Sequence, residues 1–151
     1  MVASAIHAFR LKAHMIWLAV DPGTVRLGLA IGSRQTGIAS PVRSVPAEPR
    51  PAALTAVKAA AAEYGAGGIV VGLPINMDGT EGPQAAHARE LAAAIATATG
   101  LEVRLWDERL SSFSADRKLA GRLTRGKRRA RQDAIAAAEF LQDFLDRAEP
   151  R

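Results

Sequence analysis

The run Ile16-Trp17-Leu18-Ala19-Val20 is stopped by Asp21-Pro22-Gly23, and this junction limits the fold more than any other stretch of the chain. Five apolar residues without helical spacing read as a central strand, and Pro22-Gly23 forces a turn directly after it. A carboxylate at the tip of a buried strand is costly unless a metal, a cation or hydrogen-bond donors hold its charge. Asp21 therefore reads as part of a site, and the fold must bring partners to the end of that strand.

The flanking sequence narrows the choice. Residues 27–31 and 38–45 read as two further strands, with Ser33-Arg34-Gln35-Thr36-Gly37 as the hairpin between them. A proline-rich loop precedes an alanine-rich helix over 52–64, with Leu54, Val57 and Ala61 on one face and Gly65-Ala66-Gly67-Gly68 closing it. Residues 69–74 form a buried strand that ends in a loop. Thr80 is then expected to cap a helix running to residue 99, with Ala88, Leu91, Ala92 and Ile95 inward and Gly100 ending it. Residues 101–106 read as the fifth strand and 112–120 as a short helical stretch. The order predicts an α/β fold: a central mixed five-stranded sheet, three antiparallel strands followed by parallel crossovers, flanked by helices.

From Asp116 to Arg131, eight of sixteen positions are basic, and Gly121 and Gly126 divide them, so a mobile basic loop is expected. An amphipathic helix follows over 132–145, with Ala134, Ala137, Ala138, Leu141, Phe144 and Leu145 on its apolar stripe. Asp133 falls in its expected first turn, where the helix dipole favours an acid.

Length and composition bound the rest. The 151 residues, 48% hydrophobic and 23% charged, suit one domain, taken as 15–151, with 1–14 as a disordered leader or an over-long start before Met15. No apolar run approaches the ~20 residues of a membrane span, and no secretory signal is present, so a soluble cytoplasmic protein with no membrane partner is expected. The formal charge of +5 favours a polyanion such as nucleic acid. With no cysteine, and three histidines outside zinc-site spacing, a catalytic metal would have to be held by carboxylates.

Mg2+ and Mn2+ prefer oxygen ligands, and two-metal phosphodiester cleavage gathers about three or four carboxylates at one point. The ends of separate elements supply them: Asp21 after the first strand, Asp107 and Glu108 after the fifth, and Asp133 at the last helix. The pleat sends Asp107 and Glu108 to opposite faces, so only one easily joins Asp21, and the pattern leaves both open. The loop from Gly72 to Gly82 combines glycines, an amide and a helix start, and Asn76, Gly79 and Thr80 could hold a phosphate through backbone donors. The basic stretch would draw phosphates toward carboxylates that otherwise repel them. Trp17 and Trp106 read as core anchors, and His87 as facing solvent or the edge of the core.

Together these stretches resemble the YqgF family, also called RuvX: RNase H-like nucleases of pre-16S ribosomal RNA, related to Holliday-junction resolvases. The resemblance runs from about residue 16 to 145. Asp21-Pro22-Gly23 with Arg26 and Gly28 is similar to the first family motif, and Gly72-Leu73-Pro74 through Asn76-Met77-Asp78-Gly79-Thr80-Glu81-Gly82 to the second. Asp107-Glu108-Arg109-Leu110-Ser111-Ser112 is similar to the third, and the basic run with Asp133, Ala136 and Ala137 to the last. Gln132 stands where the pattern has an apolar residue.

The resemblance implies an RNase H-like fold, a site for two Mg2+ or Mn2+ ions at Asp21, Glu108 (with Asp107 as second choice) and Asp133, and a role at the 5′ end of 16S ribosomal RNA. On that reading Arg26, Arg109, Lys127, Arg128, Arg129 and Arg131 contact nucleic acid. The rival substrate is a four-way DNA junction, which calls for a homodimer making paired cuts. Two other classes remain: a nucleic-acid-binding module without catalysis, and an ATP-binding domain. The second is disfavoured, since the related sugar kinases and actin-like ATPases need two such domains and a second phosphate motif.

Overall fold

A computed structural model of the chain describes residues 14–110 and 125–147, and at Leu110 and residues 125–130 it describes the backbone. Among the described residues, five strands form one sheet: β1 (Ile16–Asp21), β2 (Arg26–Ser33), β3 (Ile38–Pro46), β4 (Ala66–Leu73) and β5 (Glu102–Asp107). The helices are α1 (Arg50–Tyr64), α2 (Pro83–Thr99) and α3 (Arg125–Arg147), and a 3-10 turn over Glu108–Leu110 follows β5. The sheet order is β3-β2-β1-β4-β5. β2 pairs antiparallel with both β1 and β3, whereas β4 runs parallel to both β1 and β5, so the mixed sheet expected from the sequence is the one observed.

The pleat of β1 divides the core in two. Leu18 and Val20 face α1 and α2, where small residues such as Ala60, Ala61 and Ala92 let the helices approach closely around Val57, Leu91 and Ile95. Trp17 and Ala19 face α3 and pack with Ala137, Phe140, Leu141 and Phe144. The Trp17 and Phe144 rings meet edge to face with centroids 4.9 Å apart, and Trp106 meets Phe144 at 5.3 Å. Both tryptophans are anchors of the core. The Trp106 indole N–H also donates to Asp143, tying β5 to α3. By the same alternation Asp21 ends β1 on the α3 side.

Several boundaries differ from the sequence reading. β4 begins at Ala66, because Gly67 and Gly68 belong to the strand: the side chains of Met15 and Trp17 cross them where a Cβ would collide. Gly65, at φ +66°, closes α1 without them. α2 starts at Pro83 with Gly82 as its N-cap, and Thr80 instead bonds within the preceding loop. α3 starts at Arg125, so from that residue on the expected basic loop is helix; lysine, arginine and alanine are strong helix formers, and Gly126 costs only about 1 kcal/mol against them. The expected helix over 112–120, the expected leader over 1–14 apart from His14, and the basic residues before 125 lie outside the described residues.

At the sheet edge, Gln142 of α3 reaches β3. Its Oε1 accepts from the Ala39 N–H and its Nε2 donates to the Gly37 carbonyl, each at 2.9 Å. Among the described residues no helix is long and apolar enough to cross a membrane.

Candidate active site

Two glycines open the space around Asp21. Gly28 is the cross-strand partner of Asp21 in the β1–β2 ladder, and the backbone of α3 at Asp133 lies so close over it that a Cβ would strike the Asp133 carbonyl. Gly72, next to the end of β1 on the other side, is crossed by the carboxylate of Glu108, which a Cβ would likewise strike. A strand glycine often marks such close approach. Asp133 and Glu108 are thereby carried to either side of Asp21 from α3 and from the turn after β5.

The result is a cluster of negative charge. Asp21 is partly buried, and its carboxyl is pushed up to about 10 by desolvation first, then by a hydrogen bond with Glu108 and by the charges of Glu108 and Asp133. Asp133 is turned to Arg26, whose Nε donates to Oδ2 at 2.7 Å, with both side chains about 30% exposed. This corrects the expected role of the helix dipole: with α3 starting at Arg125, Asp133 lies more than two turns inside, and Arg26 is its partner. Among the described residues no three acidic or histidine side chains already sit at metal-binding geometry.

The donor set nonetheless suits a hard cation. It offers carboxylate oxygens from three elements, with the Asp21 carboxyl held protonated first by burial and then by its acidic neighbours, and glycines at 28 and 72 that let the Asp133 backbone and the Glu108 side chain come close. Asp21, Glu108 and Asp133 are the residues that could hold it.

Asp107 and Glu108 part company as the pleat requires. Asp107 accepts from Arg109 Nε and Nη2, at 3.1 and 2.8 Å, and from the Arg109 backbone N–H at 2.9 Å. The side-chain bond to Arg109 holds its carboxyl below the usual range. Arg109 is exposed and also donates through Nη1 to the Asn76 carbonyl at 3.3 Å, which joins β5 to the loop before α2.

That loop is satisfied internally. The Asn76 N–H donates to the Thr80 carbonyl, the Gly79 N–H to the Asn76 carbonyl, and the Thr80 N–H and hydroxyl to Asp78 Oδ1. Gly79 supplies the positive φ, +88°, that the turn needs. As the loop stands, none of these three N–H groups is turned to a ligand. Arg131 is exposed near Asp133, whereas the side chains of Lys127, Arg128 and Arg129 lie outside the described residues, on helical backbone.

A cleft missed in the sequence borders the cluster. Pro22, Gly23 and Thr24, directly after Asp21, face Pro74, Pro83, Gln84 and His87 across about 380 Å³. The lining comes from the ends of β1 and β4 and the start of α2, and no local pattern announces it. For the close approach of Asp133 and Glu108 a signal did exist: a glycine inside each of two buried strands.

Known proteins share this arrangement of elements. The model of the RuvX family, described as Holliday junction resolvase, matches residues 15–147. A protein of Anaeromyxobacter sp. (strain K) named "Putative pre-16S rRNA nuclease" is 45% identical over 134 residues, 88% of this chain and 98% of that protein. One of the same name from Chloroflexus aggregans is 37% identical over 130 residues, 85% of this chain and 92% of that protein. Among solved structures, T. thermophilus RuvC in complex with Holliday junction substrate aligns with a TM-score of 0.52 and 16% identity, over 89% of this chain and 97% of that one. This likeness is one of fold, and the fold is RNase H-like, with α3 laid across the sheet beside the end of β1. From residue 15 to 147, across Asp21, Glu108 and Asp133, the chain belongs to the RuvX family.

Proposed function

We propose that this chain is a divalent-metal-dependent endonuclease that cleaves phosphodiester bonds at the 5′ end of precursor 16S ribosomal RNA in the cytoplasm. The names of its relatives supply the substrate, and the nuclease class is that of its family. One observation supports the chemistry: Glu108 and Asp133, brought close over Gly72 and Gly28, act on the Asp21 carboxyl at the end of β1, a clustering of acids that a cation would relieve.

Bound Mg2+ or Mn2+, two ions on this reading, would supply an activated water and stabilise the leaving oxygen. The side chains do the rest. Asp21, Glu108 and Asp133 would hold these ions through their carboxylate oxygens, with Asp21 contributed by the central strand. Arg26 holds Asp133 in place, and its guanidinium would contact the substrate phosphate. Arg125, Lys127, Arg128, Arg129 and Arg131 occupy the first two turns of α3, the positive end of the helix, where cations are disfavoured for stability. A phosphate backbone along that end offsets the repulsion.

The family description favours a second substrate, a four-way DNA junction cut by a homodimer. The test is cleavage of precursor ribosomal RNA and of a synthetic junction with magnesium, manganese or chelator, by wild type and Asp21→Asn. Metal-dependent cuts at the 5′ end of the RNA, lost in Asp21→Asn, are expected. Paired symmetrical nicks in the junction alone would transfer the reading to DNA. Binding without cleavage under every condition would leave a non-catalytic module.

A further inference from the structure

We infer that the cleft between the β1–β2 turn and the start of α2 is a nucleobase subsite, which takes one unstacked base of the substrate strand beside the phosphate held at Asp21. The inference rests on the nuclease reading above and concerns how that strand is gripped. The cleft of about 380 Å³ adjoins a second of about 480 Å³, and the two share Pro74, Pro83 and Gln84 in their linings. Volumes of roughly 300 Å³ and above suit small ligands the size of a nucleoside.

The lining selects the kind of group. Pro22, Pro74 and Pro83 present rigid apolar rings that lose little freedom on contact with a flat face. Thr24, Gln84 and His87 add a hydroxyl, an amide and an imidazole, and among the described residues none of these side chains makes a hydrogen bond. No lysine, arginine or acid lines the cleft. A phosphate would find no counter-charge there and a metal no carboxylate, whereas a neutral aromatic ring with polar edges matches both the flat walls and the polar groups.

Position supplies the second argument. Pro22 follows Asp21 directly, and Pro74 lies two residues beyond Gly72, against which Glu108 rests. The cleft opens at the same end of the sheet as the carboxylates, on the α2 side, one residue along the chain from Asp21, whose own side chain lies on the α3 side. A strand that crosses this end of the sheet from a phosphate at Asp21 would bring a neighbouring base over these prolines. Because a paired base is stacked and cannot enter, the subsite requires a single-stranded or frayed segment at the cut.

The test uses the full chain carrying Asp21→Asn, so that cleavage does not intrude. Its affinity for a fluorescein-labelled single-stranded RNA, read by anisotropy, is compared with that for the same RNA carrying an abasic ribose at each position in turn, before and after adding Gln84→Ala and His87→Ala together. One abasic position is expected to weaken binding about tenfold, the double substitution to weaken the intact RNA by a similar factor, and the two losses not to compound. No sensitive position, or equal losses for intact and abasic RNA, would overturn the subsite. Wild-type protein that cleaves no RNA or DNA with either metal overturns the nuclease reading instead, and leaves the binding result to stand alone.

Discussion

Two carboxylate neighbourhoods at one end of the sheet, which meet at the peptide bond between Asp107 and Glu108, carry opposite electrostatics. Asp107 has its own arginine, three bonds from Arg109 and a carboxyl held below its usual range. Asp21 has Glu108 and Asp133 for neighbours and a carboxyl pushed up to about 10. The first is settled by residues two positions apart in the chain, so it closes locally. The second is assembled from three distant elements and left with excess negative charge, and such an imbalance is tolerated in folded proteins chiefly where function requires it.

The contrast breaks most sharply on activity. Asp21→Asn is expected to lower metal-dependent cleavage by about 10³-fold or more, in line with losing several kcal/mol of transition-state stabilisation, while Asp107→Asn changes it less than about tenfold. Single-turnover assays at saturating metal separate the two. Equal losses would mean that both acids serve the reaction.

Stability gives the next largest effect. Gly28→Ala drives a methyl into the Asp133 carbonyl, and a cost of about 3 kcal/mol is expected in urea unfolding, because α3 must lift off β2. Gly72→Ala meets only the end of the flexible Glu108 side chain, so it should lower cleavage about tenfold or more with little change in the unfolding midpoint.

Dependence on pH sharpens the comparison further. Asp21 keeps a proton up to about 10 when folded and releases it near 3.8 when unfolded, so between those values the folded state binds more protons and stability falls as pH rises. In chelator, Tm is expected to drop by about 5 °C or more from pH 5 to pH 9, and Asp21→Asn should abolish that decline. Asp107 has the opposite sign: its contribution is present above 3.8 and lost as pH falls through its lowered pKa. Because that pair is solvent-screened, Asp107→Asn should move Tm at neutral pH by no more than about 2 °C, the smallest change of the set.

Much of the scaffold is legible because short apolar runs and glycine stops are local signals. Val20 and Val71 announce buried strands, and Gly65 and Gly100 stop helices at positive φ. Asp21, Asp107 and Glu108 are legible as ends of strands, whereas Asp133, expected at the start of the last helix, lies more than two turns inside it. The choice between Asp107 and Glu108 was not legible, since the 3-10 turn that swings Glu108 over Gly72 is set by the bend after β5 and by the gap in β4. The start of α3 also escaped, because six strong helix formers over 125–131 outweighed one glycine. That error misplaced the support of Asp133, which comes from Arg26, 107 positions away in sequence.

The Gln142 side chain presents an acceptor and a donor to β3 in the sense of a neighbouring strand, occupying Ala39 and Gly37 at the open edge of the sheet. An unguarded edge is a template for aggregation. With these positions taken and Pro41 and Pro46 unable to donate, that edge is blunted against ribbon-like growth at high concentration. Any second copy of the chain that joins this one must therefore dock through side-chain surfaces there, not by extending the sheet.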